Sequence, residues 1–596
     1  MRKIGMLTLL LTLVTAAWAV PAKKCWRTMT QPDGTSVELM LLGDESFHYF
    51  ITRDSIPVME VNRAYYYAQP KGFAMASTGV LAHEPELRTQ LDAHNIYSME
   101  DIQTMQEFAV KKGPQTVRSR RALRVGEEDH ADYIGHKKGL IILANFSDKT
   151  FYDYTEEDGG HTTWVRYDAL ANDVGYTNDY GAIGSVHDFY YNQSYGKFKL
   201  EFDVVGPITL SQSYSFYGQG DDNNAPLMIK ECCELVDPLV DFNDYDWDGD
   251  GVAEEVFVLY AGYGEATGGY TDTVWPHMWE MESAAYYYSN LGIPNPFVLD
   301  GCQINVYACS NELYDNSGHV EMGLGVICHE FSHCLGLPDL YDTSRFPSNF
   351  GMGSWDILDS GSYNGPAGLG WVPAGYSCYE RWFAGWMKPS EMKKSRRIAN
   401  QKPINEKGQC YIIYNDNHRD EYFILENRNQ TDWDFYLPGS GLLIVHVDYD
   451  ENAWYNNTVN STPGHERLTI FHASNSNYGG HDAYPYMSKD SLTDTSTPAA
   501  KLWNRNTDGK KLMHKPITEI TRDEATAKIS FLYRNLNETS DIEAPAVAIS
   551  EESVDVYRLD GVRIATLGRA ADVQTLPKGV YVVRTPNGES RKVEVR

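Results

Sequence analysis

His329-Glu330-Phe331-Ser332-His333-Cys334-Leu335-Gly336-Leu337-Pro338-Asp339 is the stretch on which the reading of this 596-residue chain turns. Histidines four residues apart lie on one face of a helix, so both imidazoles reach a single metal ion. Ile327, Phe331, Cys334 and Leu335 recur at helical spacing and give that helix a buried, apolar side, so a helix is predicted over Met322 to Leu335. Gly336 ends it, and the freedom of glycine at positive φ lets the chain turn until residue 339 folds back toward the ion. Open zinc sites take three protein ligands, and a carboxylate is a competent one. His329, His333 and Asp339 are therefore the expected zinc ligands, with Asp342 the nearest competitor for the third place. Glu330 is expected as the general base toward a zinc-bound water, and later as proton donor. The structural alternative is two satisfied histidines in an ordinary helix.

Working outward, Leu140-Ile141-Ile142-Leu143-Ala144-Asn145-Phe146 reads as a buried strand, Val186 to Tyr191 as a helix end, Phe198 to Val205 as an alternating strand, and Val256 to Tyr260 as a second buried strand. A mixed α+β unit is expected over 136–395. Short strands such as Tyr411–Tyr414, Tyr422–Leu425 and Leu442–Val445 predict a β-rich, sandwich-like domain packed on it over 396–535. A loose linker spans roughly 538–552, and a small β-sandwich module is expected over 545–596.

The N-terminus carries Arg2 and Lys3, an apolar run from Leu7 to Val14, and Ala17-Trp18-Ala19. These are the parts of a secretory signal peptide, residues 1–19. Gln31-Pro32-Asp33-Gly34 signals a turn before a strand candidate at Ser36–Leu41, and Asp92 to Lys112 reads as partly helical. The basic cluster Arg118-Ser119-Arg120-Arg121 suits a processing site, which makes 20–121 a pro-segment; an ordinary solvated loop is the alternative. Cysteine spacing fixes no disulfide pairing, although Cys302 and Cys309 could close a short loop.

Asp244-Tyr245-Asp246-Trp247-Asp248-Gly249-Asp250-Gly251-Val252-Ala253-Glu254-Glu255 fits a calcium-loop template. Its ligands would be the side chains of Asp244, Asp246, Asp248 and Glu255 with the Asp250 carbonyl. Because Val256 begins a strand, a structural calcium clip is expected here, not a helix–loop–helix sensor. An unliganded acidic turn is the alternative.

The segment from His329 to Asp339 has the H-E-x-x-H-x-x-G-x-x-H layout of the metzincins, with Asp339 in the third-ligand slot. HEFSHCLGLPDLYD, from His329 to Asp342, resembles the signature of the immune inhibitor A family of secreted bacterial metalloproteases. Gly139 to Asp148, Ser194 to Lys197, Trp275-Pro276-His277, Glu380 to Met387, YFILENR (Tyr422 to Arg428) and GLLIVHVD (Gly441 to Asp448) extend the match over roughly 136–535. The resemblance implies a metzincin-like domain, one catalytic zinc, proteolysis and a pro-segment that keeps the zymogen inactive. Leu358 stands where that family usually has a turn methionine. Tyr363 could bond a developing oxyanion, although packing is its simpler role. Val554 to Gly561 with Leu576 to Tyr581 resembles the sorting domain of type IX secretion, which would make that machinery a partner.

With 51 basic against 82 acidic residues the net charge is −31, which disfavours nucleic acid as a partner. No apolar run is long enough to span a bilayer, so no integral membrane segment is expected. The sequence therefore predicts a secreted or cell-surface zinc endopeptidase acting on proteins or peptides. The rival is a catalytically inactive adhesin or glycan-binding protein that keeps the protease fold.

Overall fold

The computed structural model describes residues 20–85 except 46, 72 and 73; residue 125; residues 133–536 except 155–161, 315–317, 345–346 and 478–479; and residues 553–595 except 560, 569 and 585–589. The signal-peptide reading of 1–19, the helical reading of 92–112, the basic cluster at 118–121 and the linker at 538–552 lie outside the described residues. The chain divides into a large unit, 1–534, and a small one, 535–596.

The large unit begins with six antiparallel strands in sequence order, from Trp26–Thr30 to Ala74–Leu81. The turn that opens this meander is closed by Asp33, whose Oδ1 accepts the Thr35 N–H at 2.9 Å. Val37, Leu39, Leu41, Phe50 and Val58 from this sheet share one apolar cluster with Ala266, Trp275, Met322, Val326 and Tyr363. That cluster seats the N-terminal sheet against the metal-motif region.

At the centre is a five-stranded sheet in the order His277–Glu280, Val306–Leu313, Val256–Tyr263, Gly135–Asn145, Phe198–Thr209. Its first strand is an antiparallel edge and the other four run parallel. The run 140–144 is apolar throughout because both faces of its strand are covered. Ile141 and Leu143 enter the core shared with the metal-motif helix, while Leu140, Ile142 and Ala144 enter the core on the other face. The metal-motif helix spans Gly325–Cys334 and lies against the strands at Val306–Leu313 and His277–Glu280. It starts three residues later than the spacing predicts. The backbone N–H groups of Gly323 and Gly325 are bonded instead to the carbonyls of Leu369 and Gly370, at 2.7 and 2.9 Å.

The β-rich region packs as two sheets. A five-stranded one runs Ser390–Glu391, Tyr411–Tyr414, Glu421–Arg428, Gly441–Asp448, Leu468–Ile470, and a three-stranded one runs Arg396–Gln401, Lys528–Tyr533, Ile517–Asp523. Alternation again splits a strand between two cores. Tyr422 and Ile424 face the metal-site side, and Phe423 and Leu425 face the second sheet.

The small unit has, among its described residues, one four-stranded antiparallel sheet in the order Arg563–Leu567, Val554–Arg558, Gly579–Arg584, Ser590–Val595. This differs from the expected sandwich. With so few residues, a 3-10 turn at Ala570–Thr575 supplies the covering side chain, Val573, in place of a second sheet. Among the described residues no helix is long and apolar enough to cross a membrane, and no two cysteines are bridged, Cys302 and Cys309 included.

Candidate metal centre

The helix ends at Cys334 with a two-bond cap. The Gly336 N–H meets the His333 carbonyl at 2.8 Å and the Leu337 N–H meets the Ser332 carbonyl at 3.3 Å. Gly336 takes φ +93°, which a side chain would resist, and the chain doubles back. The reversal brings Asp339 beneath the histidines. Its Oδ1 lies 3.2 Å from His329 Nε2 and 3.3 Å from His333 Nε2, and the two Nε2 atoms are 3.0 Å apart. All three residues are buried.

Protons decide what that triangle can hold. His329 Nδ1 sits 2.6 Å from the Ile357 carbonyl and His333 Nδ1 sits 2.8 Å from the Leu337 carbonyl. A carbonyl only accepts, so each Nδ1 carries a ring proton and Nε2 is the nitrogen each ring turns inward. With neutral rings, two nitrogen lone pairs and a carboxylate oxygen converge there, an arrangement suited to a cation. Ligands about 2.0 Å from a tetrahedral zinc stand roughly 3.3 Å from one another, so the donor set and its spacing fit that ion.

Burial works to raise the Asp339 carboxyl, and His333 and His329, when they carry the positive charge that an ion would otherwise bring, hold it at about 2. Burial lowers the His333 imidazole, against the pull of Asp339. Glu330 is pushed well above the usual carboxyl range by burial and then by the Asp339 charge. Its Oε1 accepts the Val20 backbone N–H at 2.9 Å, while Oε2 is buried without a hydrogen bond.

That contact places the start of the N-terminal region directly over the centre. Trp275 Nε1 donates to the Val20 carbonyl at 3.1 Å, and the Tyr363 hydroxyl donates to the Pro21 carbonyl at 2.9 Å. Val20 is fully buried. Nothing in the sequence around Val20 signals this long-range contact.

Asp342 does not reach the histidines. Its Oδ2 accepts the N–H groups of Ser348 and Asn349 at 2.8 and 3.0 Å, and its Oδ1 that of Ser344 at 3.0 Å. Leu358 is fully buried in the turn below the site, next to the Ile357 carbonyl that holds His329. Asn457 is a member that the sequence reading missed, and no local pattern marks it. It bonds Asp339 twice, through Asp339 N–H to Oδ1 at 2.8 Å and through Nδ2 to Asp339 Oδ2 at 2.6 Å.

In the acidic loop the structure brings together Asp246, Asp248 and Glu254, with carboxylate oxygens within 4.8 Å of one another. Asp244 and Glu255 are not part of that group. Asp244 pairs with Lys138 at 3.1 Å. Glu255 is buried, and burial pushes its carboxyl well up against a hydrogen bond from Cys334. The template assumes a helix after the loop, whereas here a strand follows and turns side chain 255 inward. Asp250 Oδ1 accepts the Val252 N–H at 2.9 Å, so its side chain shapes the loop.

Comparison with known proteins bears on the segment that builds the centre. Residues 129–387 match the family described as immune inhibitor A peptidase M6, catalytic domain. The chain is 29% identical over 311 residues to the pre-pro-metalloprotease PrtV of Vibrio cholerae serotype O1 strain M66-2, covering 46% of this chain and 31% of that protein. It is 27% identical over 227 residues to immune inhibitor A of Bacillus thuringiensis subsp. alesti, covering 33% of this chain and 31% of that protein. The chain thus spans about a third of the length of the curated relatives it matches. Across the segment that carries His329, Glu330, His333 and Asp339, this protein is similar to the catalytic domain of the immune inhibitor A peptidases.

Proposed function

We propose that this protein is a zinc-dependent endopeptidase, held latent by its own N-terminal region. The convergence of two Nε2 atoms and Asp339 Oδ1 within 3.3 Å of one another carries the reading. Zinc bound there would polarise a peptide carbonyl and acidify a water. Glu330, whose Oε2 makes no hydrogen bond, takes the proton from the attacking water at that oxygen and returns it to the leaving amine. Tyr363 and Trp275 already donate to backbone carbonyls in the occupied cleft, so they are placed to orient a substrate main chain. In this form the chain cannot act, because Val20 and Pro21 fill the space beside Glu330. Residues 20–121 therefore read as a pro-segment, the region around 118–124 as its cleavage point, and the 545–596 module as a signal for export by type IX secretion. A cation held by Asp246, Asp248 and Glu254, calcium by its oxygen donors, would clip the loop before the strand at Val256.

Limited trypsin digestion of the purified chain, followed by casein hydrolysis with and without a zinc chelator, tests the reading. Activity should appear after digestion, vanish with chelation and return with zinc. A processed, zinc-loaded protein that leaves casein intact would favour the inactive adhesin.

A further inference from the structure

Asn457 lies 118 residues beyond Asp339 and 70 residues beyond the end of the peptidase-like segment at 387 (457 − 387), in the turn after a short helix at Glu451–Tyr455. A primary amide offers one acceptor and one donor group at fixed spacing. Here the acceptor takes the Asp339 N–H at 2.8 Å and the donor reaches Asp339 Oδ2 at 2.6 Å. Both residues are buried, at 2% and 0% exposure, so water does not compete. Asn457 is itself held in place. It adopts φ +53°, a conformation that asparagine tolerates better than most residues. Its N–H donates to the Trp454 carbonyl at 3.2 Å, and its carbonyl accepts the Thr343 hydroxyl at 2.7 Å.

We infer that Asn457 is a positioning residue for the metal centre, which makes the β-rich region part of that centre. By engaging Oδ2, it leaves Oδ1 as the one Asp339 oxygen turned to His329 and His333, so the aspartate offers the ion a single oxygen. Outer partners of this kind fix the orientation of a ligand and commonly matter ten- to hundredfold for metal affinity. Aspartate at 457 would have the same shape and could still accept the Asp339 N–H. It would lose the donor and set a second carboxylate against Asp339 in a dry site. The inference rests on the zinc reading of His329, His333 and Asp339.

The test uses the full chain, stripped of metal and titrated with zinc against a chromophoric chelator, and separately with cobalt(II) for its absorption spectrum. Asn457→Ala and Asn457→Asp should each bind zinc ten- to hundredfold more weakly than wild type, with shifted cobalt bands. The metal-free melting curve of Asn457→Asp should fall, because two carboxylates then face each other with no ion between them, and zinc affinity is read well below that transition, on folded protein, which separates ligand orientation from folding. If Asn457→Ala fails to fold, the isosteric Asn457→Asp carries the test alone. Wild-type zinc affinity and cobalt spectrum in Asn457→Asp overturn the inference. A wild-type chain that takes up no stoichiometric zinc overturns the metal reading instead.

Discussion

Replacing Arg428 by methionine should destabilise the large unit by about 3–5 kcal/mol at pH 8, the usual cost of removing one partner from a buried ionic pair. The guanidinium is fully buried. It donates to Asp434 at 2.8 and 2.7 Å, to Glu426 at 3.2 Å, and to the carbonyls of Trp355 and Gly375 at 3.3 and 2.9 Å. Methionine fills much of the same volume but leaves each of these acceptors dry. Asp356 and Glu380 belong to the same buried group. Burial and then Glu380 push the Asp356 carboxyl well up, and burial pushes Glu380 and Glu426 up as well. The sign with pH follows from those directions. A carboxyl whose folded pKa is raised contributes stability that is fully present below its unfolded pKa, near 4, and is lost as pH rises through the folded pKa. Arg428 pulls the Asp356 and Glu426 carboxyls down, so without it both shift further up and the deficit should be larger at pH 8 than at pH 5. Urea unfolding at both pH values, followed through the buried Trp355, Trp371 and Trp386, reads both quantities. A deficit below about 1 kcal/mol at pH 8, or one that grows toward acid, would refute this account of the network.

Glu330→Ala should keep zinc bound while casein hydrolysis by the processed enzyme falls about 10²–10⁴-fold, the usual range for loss of a general base. Metal analysis beside the activity assay checks this, and turnover near wild type would remove Glu330 from the role. Asp339→Ala should lower zinc content and activity together, whereas Asp342→Ala should retain its metal, since Asp342 serves loop N–H groups. Inductively coupled plasma measurement of both variants separates them. A calcium-selective chelator should lower the wild-type melting temperature, by an amount equivalent to about 2.7 kcal/mol if calcium had been present at a hundred times its Kd. The Asp246→Ala/Asp248→Ala variant should show little further change, and a wild-type curve indifferent to chelation would discard the ion.

The metal motif was legible because its spacing and its geometry are the same fact. A four-residue interval and a helix-ending glycine bring His329, His333 and Asp339 to one place, and distant partners, Ile357 and Asn457, only fix how His329 and Asp339 are turned. The helix start was not legible, because the competitors for the Gly323 and Gly325 N–H groups are carbonyls 46 and 45 residues further on (369 − 323 and 370 − 325). The acidic loop misled at Glu255, where the template carries the geometry of a following helix into a place where a strand follows. Asn457 and Val20 left no local trace. Each acts through one or two hydrogen bonds across more than a hundred residues, and neither periodicity nor composition records such a contact.

Within the central strand from Gly135 to Asn145 the run 140–144 is apolar on both sides, and this has a consequence for alignment. Where one face of a strand is wet, polarity forbids a slip of one residue, because every side chain would change sides. Here a slip within 140–144 would exchange one apolar residue for another and meet little resistance. The correct alignment has to be written at the edges of the run. Lys138 reaches Asp203 and Asp244 at 3.2 and 3.1 Å, and Asn145 Oδ1 accepts the Phe151 N–H at 2.9 Å. Gly139 keeps clear the place of the Phe202 ring, which would stand 2.6 Å from any Cβ there. A one-step shift would drive Lys138 into that ring and strand its charge. The middle of the strand supplies cohesion, and three residues at its margins act as the key that decides which alignment is allowed.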